Sequence, residues 1–150
     1  MLKGVPSLER FHNVQLEIGE GVATLWLDRP ERHHAIDRGM MDGLEAALDR
    51  LDQQTDCRVL ILTATGEESF CAGGDLTYFA SLKTETAVRS MCHRMIGLLT
   101  RLSNERRVVV AAVNGQALGG GCEMLAYAHL RVASRRARFA FRQAVNGIVT

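Results

Sequence analysis

Two periods of apolar and polar residues run along this chain, and the places where one gives way to the other mark out its elements. Residues 13–18 and 22–28 alternate on either side of Gly19-Glu20-Gly21, which predicts two strands joined as a hairpin. Asp37 then stands as an N-cap, and Ile36, Met40, Leu44, Leu48 and Leu51 form one apolar stripe over about four turns of helix. Residues 58–64 read as a buried strand and 78–82 as a short helix. Thr84 caps a longer helix whose stripe is Val88, Met91, Met95, Leu98, Leu99 and Leu102. Residues 104–107 are a charged turn, 108–113 a β-branched strand, and 129–134 a further strand. The basic turn Arg135-Arg136 leads into an extended piece over 137–141. Residues 1–12 are a polar leader without a clear period. This order predicts an α/β fold of short repeated units in one core spanning residues 1–150. How those units wind is left open by periodicity.

Two strand ends carry the candidate chemistry. The β-branched run Val108 to Val113 passes through Asn114-Gly115-Gln116-Ala117-Leu118 into Gly119-Gly120-Gly121, and a helix is expected to open near Gly120 or Gly121. Three consecutive glycines weaken any regular element, so they suit a place where something approaches bare backbone. Free N–H groups there can receive an anion, or an oxygen that becomes one during reaction; a plain strand turn is the other reading. A P-loop does not fit, because the Lys-Ser/Thr pair is missing, and the glycines do not spell the dinucleotide fingerprint. The second loop, Glu68 to Leu76, also follows an apolar strand and places Gly73-Gly74 before a helix-like segment. Two such loops can converge on a single carbonyl oxygen.

Composition narrows the setting. With 150 residues, 47% hydrophobic content and two prolines, the chain can bury a sizeable core. Its 18 basic and 17 acidic residues leave a net charge of +1 and no basic block, which argues against nucleic acid as a partner. Cys57, Cys71, Cys92 and Cys122 form no Cys-x-x-Cys pair, so neither zinc nor a disulfide framework is signalled. His33-His34 are adjacent and point to different faces, a poor start for a metal site. With no signal peptide and no spanning apolar run in the sequence, a cytoplasmic protein without a membrane partner is expected.

Three pieces of the sequence resemble the enoyl-CoA hydratase/isomerase, or crotonase, superfamily. They are Leu27-Asp28-Arg29-Pro30 with Ala35-Ile36, Phe70-Cys71-Ala72-Gly73-Gly74-Asp75-Leu76, and Ala112-Val113-Asn114-Gly115-Gln116-Ala117-Leu118-Gly119-Gly120-Gly121-Cys122-Glu123. The resemblance runs from about Val14 to the end of the chain and implies a spiral of ββα units assembled as a trimer or a hexamer. It implies an acyl-CoA thioester as substrate, with coenzyme A part of that substrate and no separate cofactor. It also implies that the N–H groups of Gly74 and Gly120 form an oxyanion hole and that Glu123 is an acid/base. Arg29, Ala35, Ala72, Gly74, Asp75, Leu76, Thr77 and Gly120 would lie along the substrate, with Arg29 and Arg32 near its phosphates.

The chain departs from that pattern twice. Where the family's hydratases carry a second glutamate, anchoring on Phe139 and Gly147 places Gln143, whose amide holds water or substrate but does not shuttle a proton near neutral pH. The usual C-terminal helical region is also missing, so the sequence reads as the N-terminal part of a longer fold. An acyl-CoA hydratase or isomerase is therefore expected. A decarboxylase or C–C lyase of the same superfamily, and a non-catalytic acyl-CoA binder, are the alternatives.

Overall fold

A computed structural model describes residues 7–146, and Gly147, one of the two anchors for Gln143, lies outside them, as does residues 1–6 of the leader. The elements are β1 (Ser7–Phe11), β2 (Val14–Gly19), β3 (Val22–Leu27), α1 (Arg38–Asp52), β4 (Val59–Ala64), β5 (Ser69–Cys71), α2 (Leu76–Ser81), α3 (Glu85–Ser103), β6 (Val108–Val113), β7 (Gln116–Leu118), α4 (Gly120–Ala126), β8 (Leu130–Ala133) and β9 (Phe139–Ala140). Six strands form one sheet in the order β1-β2-β3-β4-β6-β8, antiparallel across the first three and parallel from β3 onward. A second, parallel sheet has the order β5-β7-β9. Mixed α/β architecture with strands in short repeated units is the class the sequence predicts.

The alternation that predicts the strands is the alternation that buries them. Val14 and Leu16 of β2, Leu25 and Leu27 of β3, Leu60 and Leu62 of β4, and Val109 and Ala111 of β6 all enter one core. Helix α1 adds Met40, Leu44, Leu48 and Leu51, and the Asp37 carboxylate caps it by accepting from the Met40 N–H at 2.7 Å. Gly43 lets this helix sit on the first hairpin, since a Cβ there would lie 2.3 Å from the Phe11 carbonyl oxygen. Arg94 of α3 bridges Asp42 and Glu45 of α1.

Four expectations need correcting. The leader is not featureless: its residues 7–11 form β1, whose register runs from Ser7 opposite Ile18 to Phe11 opposite Val14. As an edge strand with Ser7, Leu8 and Arg10 exposed, it shows no clean inside-outside pattern of its own. Helix α2 starts two residues early because Asp75 caps it, accepting from the N–H groups of Thr77 and Tyr78. The α3 stripe is buried only at Leu98, Leu99 and Leu102, and Val88 is exposed. The charged turn conceals the fully buried Arg107, which donates to the carbonyls of Leu51 and Gln54 at the end of α1 and pairs with Glu105 at 2.6 Å. Among the described residues no helix is long and apolar enough to cross a membrane.

Candidate active site

The two glycine-bearing loops meet. The first leaves β5 and runs beside the segment 33–36: the Ala72 N–H donates to His33 O at 2.9 Å, the Ile36 N–H to Gly73 O at 2.7 Å, and the Asp75 N–H to Ile36 O at 2.9 Å. These bonds form an isolated parallel bridge between Ile36 and Gly74. Arg29 locks the arrangement. Its guanidinium donates to Asp75 at 2.7 Å and to Ala35 O at 3.1 Å, and lies 3.3 Å from Asp37. Burial works to raise the Asp75 pKa, but the Arg29 hydrogen bond and the Tyr78 and Thr77 N–H groups outweigh it and hold the carboxyl below the usual range.

The second loop is set by close contact. A Cβ on Gly115 would stand 2.3 Å from Glu68 O, and one on Gly121 2.3 Å from Cys71 O. Gly119 has φ +50°, and its carbonyl accepts from the N–H groups of Cys122 and Glu123 as α4 opens. The Asn114 side chain ties this loop to the first through Gly66 O at 2.8 Å and Ser69 O at 3.2 Å.

The two loops approach each other backbone to backbone. A Cβ on Gly73 would lie 3.1 Å from the Gly120 nitrogen, and one on Gly120 would lie 3.7 Å from the Gly74 nitrogen and 3.8 Å from Glu123 Oε2. None of the backbone hydrogen bonds among the described residues uses the N–H of Gly74 or of Gly120. Glu123 is half-buried beside them, and Gln143 Nε2 donates to its Oε1 at 2.6 Å. Of the expected residues, the structure therefore brings together Gly74, Gly120, Glu123 and Gln143. Ala35 and Ala72 are half-buried in the strap next to Gly74, while Leu76 and Thr77 are exposed on the first turn of α2.

Arg29 has a structural task beside the one expected of it. Its side chain is only 14% exposed and ion-paired to Asp75 and Asp37, so it holds the first loop in place, and Asp75 serves as its partner and as the α2 cap. Three contributors take roles that the sequence did not assign to them. Gly73 has φ +89° and lies so close to Leu118 O that a Cβ would be 2.8 Å away. The Phe79 ring occupies the space a Gly74 side chain would need, 2.1 Å from its ideal Cβ. His34 is buried with both ring nitrogens partnered, one accepting from the Arg29 N–H and the other facing Thr65 O, and burial is the main cause that lowers its pKa. The doubled glycine and doubled histidine were the only sequence signals for these roles. Burial pushes the Cys71 thiol up to about 12, so it is a neutral packing group next to the site. Among the described residues no group of three or more His, Cys, Asp or Glu side chains is placed to hold a metal ion.

Comparison with known proteins places this geometry in context. The family described as Enoyl-CoA hydratase/isomerase matches residues 17–150. A crotonyl-CoA hydratase of Syntrophomonas wolfei is 30% identical over 131 residues, which cover 86% of this chain and 49% of the relative. A short-chain-enoyl-CoA hydratase of Clostridium acetobutylicum is 33% identical over 133 residues, covering 85% and 49%. The crystal structure of an enoyl-CoA hydratase/carnithine racemase from Magnetospirillum magneticum superposes with a TM-score of 0.88 at 25% identity, covering 97% of this chain and 54% of that one. The chain thus spans about half the length of the curated relatives it matches.

Proposed function

We propose, on the premise that this chain belongs to the enoyl-CoA hydratase/isomerase family, that its two glycine loops hold the carbonyl oxygen of an acyl-CoA thioester while Glu123 moves a proton at the neighbouring carbons. One observation supports the reading: Gly74 and Gly120 lie close together near the Glu123 carboxylate, and the N–H of neither has a hydrogen-bond partner among the described residues. Removing a proton α to a thioester carbonyl places negative charge on its oxygen. Two preorganised donors stabilise that charge as it develops, each by roughly 3 kcal/mol in a site that excludes water. Backbone donors need no side chains, which is why glycine suffices at both positions. Glu123 Oε2, on the Gly120 side, is the base that accepts the proton.

Gln143 favours a second reading within the same chemistry. With an amide at the position opposite Glu123, decarboxylation or C–C cleavage needs the enolate-stabilising pair but fewer proton transfers than hydration. Turnover of crotonyl-CoA against a malonyl-type CoA separates the two, and binding of both without turnover marks a non-catalytic acyl-CoA binder. The coenzyme A moiety enters with the substrate, and the working assembly in this reading is a trimer or hexamer; a monomer over a wide concentration range in sedimentation would count against that assembly.

The direct test is Glu123→Gln. Turnover is expected to fall about 10²–10⁴-fold while acyl-CoA affinity stays within about tenfold. Parental turnover in this variant would show that the acid/base lies elsewhere.

A further inference from the structure

His34 is buried, only 2% exposed, in the strap that carries the first glycine loop, and its ring is held at both nitrogens. A backbone N–H only donates, so the Arg29 N–H at 3.0 Å requires a bare lone pair on Nδ1, and the ring proton sits on Nε2, facing Thr65 O at 3.0 Å. The neutral ring fits this socket. A second proton, on Nδ1, would set one N–H against another. The backbone here is strained as well: His33 and His34 have φ +49° and +57°, two successive left-handed residues without glycine, a conformation that persists only where its surroundings impose it. The loop hangs on the carbonyls of this pair. His33 O accepts from the Ala72 N–H at 2.9 Å and the Ser69 hydroxyl at 3.1 Å, and His34 O accepts from the Cys71 thiol at 3.3 Å. Two residues on, the Ile36 N–H reaches Gly73 O.

The charges around the ring do little to welcome a second proton. Asp28, at the end of β3, favours the charged ring, but its carboxylate is taken up by Gln15, by the Thr65 hydroxyl at 2.9 Å and by Arg10 at 3.2 Å. Glu31 also favours the charged ring, and His33 opposes it. Arg29 turns its guanidinium to Asp75 and Asp37, and the Cys71 thiol behind the strap is neutral. Burial outweighs the two carboxylates and keeps the ring's pKa below the ordinary 6.5. Resting on the thioester reading above, we infer that His34 is a positioning residue: its neutral ring holds the strap that seats Gly73 and Gly74, and a proton on Nδ1 frees that strap and weakens binding of acyl-CoA thioesters. The ligand thus favours the neutral form, and affinity declines as pH falls through the ring's folded pKa.

Equilibrium binding of butyryl-CoA between about pH 7.5 and 5.5, to the parent and to His34→Asn, tests this. Asparagine tolerates a left-handed backbone and offers an amide oxygen in place of the Nδ1 acceptor, but it does not titrate. The ligand's own phosphate titrates in the same range, so the readout is the ratio of the two dissociation constants, parent over variant. That ratio is expected to rise about fivefold toward the acid end. A ratio that stays within about twofold overturns the inference. The unaltered protein gives a second measurement that needs no variant to fold: in NMR, the Ala72 and Ile36 amide signals are expected to move with the same midpoint as the His34 ring. A ring that titrates while those amides stay in place overturns the inference as well, leaving His34 a packing group. Failure of butyryl-CoA to bind the parent at the neutral end would instead bring down the thioester reading, since the NMR titration tests the strap without ligand.

Discussion

The loop from Ser69 to Asp75 is fastened by charge and strap, whereas the loop from Asn114 to Gly121 is fastened by contact too close for any side chain. In the first, Arg29 reaches Asp75 from 46 residues away, and residues 33–36 lie alongside as a third party. In the second, Gly115 lies against Glu68 and Gly121 against Cys71, so this loop is seated on the backbone of the first. The comparison teaches that Gly74 does different work from Gly115 and Gly121. In the second loop it permits approach. At Gly74 it leaves room for the Phe79 ring, a neighbour able to move.

The sharpest way to break the second loop is therefore a single methyl group. Gly121→Ala places a Cβ on the Cys71 carbonyl, which cannot yield without shifting β5, and a loss of about 3 kcal/mol or more is expected in denaturant unfolding. Gly74→Ala meets the Phe79 side chain first, so its cost should be clearly smaller, and smaller still in a Gly74→Ala/Phe79→Leu pair. Equal losses at positions 121 and 74 would erase the distinction drawn between the loops.

Removing the charge that fastens the first loop ranks next. Arg29→Met leaves Asp75 and Asp37 without their shared cation in a mostly buried setting, and a destabilisation of roughly 2–3 kcal/mol is expected from chemical denaturation. Asp75→Asn keeps a side-chain oxygen for the α2 cap but loses the ion pair, so it should cost about 1 kcal/mol. A larger effect at Asp75 than at Arg29 would mean that the cap, not the ion pair, dominates.

The smallest effect is a pH dependence through His34. Its folded pKa lies below the ordinary 6.5, chiefly because burial disfavours the imidazolium, so below that pH the unfolded chain takes up the proton first. Stability should decline as pH falls through 6.5 toward the folded pKa and level off beneath it. Unfolding midpoints of the parent and of His34→Gln between about pH 7.5 and 5 check this, and the variant should show the shallower slope. An identical slope would assign the acid sensitivity to other groups.

How far the molecule was legible in its sequence follows from how local each signal is. Asp37 and Thr84 as caps, the α1 stripe and the strands β2, β3, β4 and β6 rest on contacts within an element or with a broad core face, so their periods appear in the residues themselves. Strands β5, β7 and β9 have two or three residues each and exist as a sheet only because three separated pieces of chain are brought into line. No window of sequence carries a period that short. Arg107 and Arg29 look like surface charges in a sequence, since their burial depends on carbonyls and carboxylates that lie far away along the chain.

By itself, then, the sequence determined the α/β class, the main helices and strands, and two glycine-rich loops at strand ends with Glu123 just after one of them, because each of these is written in neighbouring residues. Only the tertiary structure decided that Gly74 and Gly120 come close together, that Arg29 fastens a loop, and that the Gln143 amide turns its nitrogen to Glu123. Those outcomes depend on distances between atoms far apart in the chain, which side-chain periodicity does not encode and close packing sets.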